Sequence, residues 1–144
     1  MHEWRSHTAE IELAIETDSE ERVFAEAAAA FGELVALGDG GEPVQHDVTI
    51  DAADREARLV QWLEELIFLA DTESFVPDSA QNVFIEGNTV IATLKGRRAP
   101  LEPLVKAATY HGLRFAHDNG VWRAQVVLDV WASTHRRDDL RDFG

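Results

Sequence analysis

The carboxylates carry most of the chemical information in this sequence. Asp129 closes an apolar run, Val126-Val127-Leu128, where an ionised side chain is costly to bury unless a cation or hydrogen-bond donors meet it. Glu10 in the first strand, Asp71 and Glu73 after the second helix, and Asp129 at the last strand form a set of hard oxygen donors. Such a set suits Ca²⁺, Mg²⁺ or Mn²⁺, which accept several carboxylates and carbonyls without fixed sequence spacing. The same residues also fit solvated strand ends and helix caps, the ordinary place for charged side chains. Lys106 lies between Val105 and Ala107 in an otherwise apolar strand, with Tyr110 and His111 close behind. Period two places Lys106, Ala108 and Tyr110 on one face, from which a long amine readily reaches water. Other catalytic signatures are missing from the sequence: it has no glycine-rich phosphate loop, no nucleophile elbow and no histidine pair at metal spacing. The six histidines are scattered.

The elements that must position these groups follow from periodicity. Residues Thr8 to Thr17 alternate, with Ala9, Ile11, Leu13 and Ile15 on one parity and Glu10, Glu12 and Glu16 on the other, which reads as a half-buried strand. Thr17-Asp18-Ser19-Glu20 has capping-box spacing, so a helix is expected to begin there and to end near Leu37, before Gly38 and the Asp39-Gly40-Gly41 run. Val44 to Ile50 is a short strand. Asp51 is the expected cap of a second helix, whose stripe is Leu59, Val60, Leu63, Leu66, Ile67 and Ala70. Asn82–Glu86 and Thr89–Lys95 flank Gly87-Asn88 as one hairpin, and Val105–Ala116 and Val121–Val130 flank Asp118-Asn119-Gly120 as a second. Trp62 and Trp122 each lie inside a regular element and read as core or interface anchors. The order β-α-β-α-β-β-β-β predicts an α+β fold: a mixed β-sheet with both helices packed mainly on one face. Residues 1–130 are expected to form a single domain. The segment 131–144 mixes charges without a core period and is expected to be a partly ordered appendage.

Composition narrows the function classes. Among 144 residues, 13 Lys and Arg against 27 Asp and Glu give a formal charge of −14, which opposes direct binding to a phosphate backbone. The absence of cysteine excludes disulfides, a thiolate nucleophile and thiolate metal sites, and fits a reducing compartment. Met1-His2-Glu3-Trp4-Arg5 lacks the order of a signal peptide and no apolar run is long enough to span a bilayer, so a cytoplasmic protein is expected.

Five stretches in order, His7-Thr8-Ala9-Glu10, Trp62-Leu63-Glu64-Glu65-Leu66, Asp71-Thr72-Glu73, Val105-Lys106-Ala107-Ala108-Thr109-Tyr110-His111 and Trp122 through Val130, together resemble the archease family. The resemblance covers roughly Trp4 to Val130. It implies a small non-enzymatic protein that activates the GTP-dependent, RtcB-type tRNA-splicing RNA ligase, promoting its guanylylation and repeated turnover. It also implies a divalent cation, calcium in the family, held by Glu10, Asp129 and the main-chain oxygen of Val130, and it matches Lys106 to the family's functional lysine. On that reading Lys106 contacts the ligase or nucleotide phosphates, and Asp71 and Glu73 belong to the same contact face. The chain departs from the family pattern at Ser6, Gln61, Glu64 and Ala99, carries Glu10 where the family has aspartate, and continues past the point where family members generally end. Two other functions stay open from the residues themselves. One is a diverged interaction or chaperone-like module without ligase activation; the other is a divalent-metal phosphohydrolase, which lacks an evident nucleophile, partnered base and phosphate clamp.

Overall fold

Each helix begins where a side chain can accept from its free amides, although not at the residues the sequence pattern suggests. The computed structural model describes residues 8–131, in the order β1 (Thr8–Thr17), α1 (Glu20–Val35), β2 (Glu42–Asp51), α2 (Arg55–Glu73), β3 (Phe75–Glu86), β4 (Thr89–Arg98), β5 (Val105–Asp118) and β6 (Val121–Trp131). Ser6, His7 and the segment after Trp131 lie outside the described residues. The N-cap of α1 is Ser19, whose hydroxyl accepts from the Arg22 N–H at 3.2 Å, while Thr17 donates to the Ser19 carbonyl at 2.6 Å. The N-cap of α2 is Asp54, which accepts from the Ala57 N–H at 2.7 Å; Asp51 instead ends β2. α2 runs through Asp71 and Glu73, which are therefore its last turn and do not follow it. Ser74, at φ 53, turns the chain into β3.

The α+β class and the expected element order hold. The strands divide between two three-stranded sheets, β1-β6-β5 and β2-β4-β3, where the pattern suggests one mixed sheet. Every pairing among these strands is antiparallel. The reason lies in the crossovers: β1 does not pair with the strand that follows its helix, but with β6 from the opposite end of the described chain. α1 carries the chain from the first sheet to the second, and α2 joins β2 to β3, the two edges of the second sheet, with β4 antiparallel between them, so neither helix leaves parallel neighbours behind it. The two hairpins appear as expected, with Gly87 at φ 61 in one turn and Asn119 and Gly120 at φ 53 and 77 in the other, the backbone that tight hairpin turns require.

Both helices feed one core. Val23, Phe24, Ala27, Phe31 and Val35 of α1 and Leu59, Trp62, Leu63, Leu66 and Ile67 of α2 meet Ile15, Phe115, Val126 and Leu128 of the first sheet and Val48, Val90 and Leu94 of the second. Trp62 is a core anchor, 1% exposed and edge-on to Phe24 at 5.4 Å. Trp122 is half-buried and stacks on His117 at 4.5 Å, with the Arg55 guanidinium 4.8 Å from its ring. Among the described side chains of β1 only Ile15 is fully buried; Ile11 and Leu13 line a cavity of about 180 Å³ with Phe31, Leu34 and Leu63. No helix among the described residues is long and apolar enough to cross a membrane.

Candidate cation and partner-contact site

The pairing of β1 with β6 sets the geometry. Glu10 lies directly opposite Asp129, and Ala9 directly opposite Val130. Ile15, Val126 and Leu128 fix which parity faces the core, so Glu10 and Asp129 project from the outer face while the Val130 side chain turns inward, 5% exposed. Opposed residues of an antiparallel pair hold their Cβ atoms about 4.5–5.5 Å apart, and like charges placed so are mutually destabilising. Two carboxylates from the two ends of the described chain are thus held side by side at the surface. A hard cation between them would relieve the repulsion, and nearby main-chain oxygens are ligands of the same class. On donor chemistry the pair fits a divalent ion of the Ca²⁺, Mg²⁺ or Mn²⁺ kind.

The other expected acids do not join this pair. Among the described residues no three His, Asp or Glu side chains come together at metal-binding distance. Glu73 lies 3.8 Å from Arg98, which also reaches Glu42 at 3.2 Å. Asp71 is exposed on the last turn of α2.

Lys106 approaches the pair from the other neighbour of β6. Val105 is opposite Val130 and Ala107 is opposite Asp129, so Lys106 is the extra residue of a β-bulge beside Asp129. A second irregularity between Thr109 and Arg114 takes Tyr110, His111 and Gly112 out of the ladder, with Gly112 at φ 67. The expectation that Lys106, Ala108 and Tyr110 share one regular face is corrected by these two interruptions, because period two holds only while the ladder is unbroken. Tyr110 is 61% exposed, and His111 is exposed with its N–H donating to the Thr109 hydroxyl at 3.3 Å.

Two further residues belong to this neighbourhood. Glu64 of α2 accepts from the Ala108 N–H at 2.7 Å, tying the helix to β5 beside the bulge. Trp131 receives the Lys106 ammonium 4.8 Å from its ring centroid, and its own N–H donates to the Leu104 carbonyl at 3.0 Å. Sequence reasoning passes over Trp131 because it reads as the first residue of a polar segment; its i+2 spacing from Asp129 is the signal that puts both on one face. Of the remaining departures from the family pattern, Gln61 is exposed on α2, and Ala99 donates its N–H to the Ser74 carbonyl at 3.0 Å.

The profile of the Archease protein family (MTH1598/TM1083) matches residues 2–130, ending one residue before Trp131. The chain is 31% identical over 139 residues to the protein archease of Methanosarcina mazei, covering 90% of this chain and 95% of that one. It is equally 31% identical, with the same coverage, to the protein archease of Pyrobaculum islandicum. Its fold is similar to the crystal structure of an archease, possible chaperone, from Thermotoga maritima, with a TM-score of 0.65 at 24% identity over 90% of this chain and 97% of that one. It is also similar to the solution structure of protein 1598 of Methanobacterium thermoautotrophicum, with a TM-score of 0.58 at 23% identity over 85% and 98% of the two chains.

Proposed function

The chain belongs to the archease family, and from that premise we propose that it is a non-catalytic activator of a GTP-dependent, RtcB-type RNA ligase that serves tRNA splicing or RNA repair in the cytoplasm. The observation that carries the reading is the opposition of Glu10 and Asp129 on the outer face of the first sheet, with Lys106 in the bulge beside them. Glu10, Asp129 and the main-chain oxygen of Val130 would hold a divalent cation, which supplies positive charge at the contact face when bound. The Lys106 ammonium is exposed and offsets phosphate charge near the ligase nucleotide. Asp71 and Glu73, exposed at the end of α2, present acids to cationic groups of the ligase. The protein favours the ligase arrangement that accepts guanylate, and it acts by differential binding to that arrangement. Its charge of −14 agrees with a protein partner and with the ligase, not this chain, holding the RNA.

The test is multiple-turnover RNA joining by the ligase of the same source with GTP and Mn²⁺. The comparison is between no addition, this protein, and its Asp129→Ala and Lys106→Ala variants. Stimulation by the unmodified protein and its loss in both folded variants is the expected result. Absence of stimulation at any ratio overturns the activator reading and leaves an archease-fold interaction or chaperone-like module. Metal-dependent turnover of a phosphodiester by this protein alone, lost in Asp129→Ala, would instead favour a phosphohydrolase.

A further inference from the structure

We propose that Trp131 is a positioning residue that holds the Lys106 ammonium clear of the Glu10 and Asp129 carboxylates, so that the lysine and the acid pair stay separately available; the inference rests on the activator reading above. A β-bulge turns two consecutive residues toward one partner, so Lys106 is delivered to the strand face that carries Asp129. A flexible ammonium placed there has an obvious alternative, an ion pair with the acids, which would cancel both charges. Among the described residues Lys106 takes part in no ion pair, and its ammonium lies 4.8 Å from the Trp131 ring centroid.

Trp131 is suited to that role. It follows Asp129 by two residues on the same strand, so it shares the outer face, and the hydrogen bond from its N–H to Leu104 fixes it against the start of β5. Trp131 is 42% exposed, which is not the environment of a residue kept for core packing. An aromatic face attracts a cation through its quadrupole without neutralising it. Lys106 therefore keeps its full charge for an anionic group such as a phosphate, and the two carboxylates keep theirs for a divalent cation.

Two measurements test it, and they fail separately. Proton NMR of the folded protein should show the Lys106 ε-methylene shifted upfield by the indole ring current, with the shift kept in Trp131→Phe and lost in Trp131→Ala. An unshifted methylene in the unmodified protein overturns the inference, whatever the ligase assay gives. In the RNA-joining assay Trp131→Ala should raise the concentration giving half-maximal stimulation about threefold, the scale of a solvent-facing cation–π contact. Trp131→Phe should restore most of the loss, and Trp131→Ala should add nothing in a Lys106→Ala background. An effect of Trp131→Ala that persists undiminished without Lys106 overturns the positioning role while leaving the activator reading intact. If the unmodified protein stimulates no ligase, the activator reading falls and the positioning role falls with it, even where the NMR contact remains.

Discussion

Glu10 and Asp129 face each other because of backbone register, not mutual attraction, and this has a measurable sign. Removing one charge should relieve repulsion, so Asp129→Asn is expected to stabilise the metal-free protein by about 0.5 kcal/mol. On the proposed cation site Ca²⁺ should raise the unfolding midpoint of the unmodified chain, and the same change should abolish that rise. Urea unfolding in chelator and in excess Ca²⁺ checks both halves. Glu64 is the second informative residue. Glu64→Ala frees the Ala108 N–H and should cost about 1 kcal/mol, with faster hydrogen exchange at that amide. Asp129 is legible in the sequence because a carboxylate at the end of Val126-Val127-Leu128 wants a counter-charge. Glu10 is legible as one of several candidate acids, and only the family resemblance singles it out as the partner, since cross-strand register between the first and last strands is a tertiary fact. Trp131 was hidden by its neighbours, which make it look like the start of a charged tail.

At the scale of elements, patterns survive where one period runs unbroken and fail where backbone irregularities interrupt it. The stripe of α2 and both hairpin turns follow directly from sequence. The first half of β3 does not: Pro77 argues against a strand, the ladder slips between Pro77 and Ser79 and again between Gln81 and Phe84, and Asn82 sits at φ 54. The capping residues are displaced for a related reason, because Thr17 and Asp51 are still held in strand ladders and Ser19 and Asp54 are the first acceptors free to cap. Ser19→Ala should accordingly cost about 1 kcal/mol in thermal or urea unfolding. The packing of α1 on β3 is less forgiving. A Cβ at Gly32 would overlap the Pro77 carbonyl oxygen, which is main chain and cannot turn aside. Gly32→Ala is expected to destabilise by about 3 kcal/mol, read as a lowered urea midpoint with an unchanged slope.

Across the whole molecule, the end remote from the acid pair is fastened by one buried cation. Arg58 is 7% exposed, donates to the Ala52 carbonyl at 2.9 Å and lies 3.9 Å from Glu20, linking the starts of both helices to the end of β2. Its replacement by alanine takes the donor from the Ala52 carbonyl and leaves Glu20 with Arg55 alone, 3.5 Å away, and should cost about 2 kcal/mol in equilibrium unfolding. The opposite end depends on a pairing of a different kind. β1 and β6 are hydrogen-bonded neighbours, yet nearly the whole described chain is made between them. A ribosome releases β1 first and β6 last, so β1 must wait without its partner while both helices and the complete β2-β4-β3 sheet come off the ribosome. A nascent chain stopped before Val121 could fold much of its interior but would hold Glu10 with nothing opposite it. On the proposed cation site, responsiveness to a cation is therefore acquired only once β6 has emerged, and a product that stops short of β6 is expected not to compete for the proposed partner.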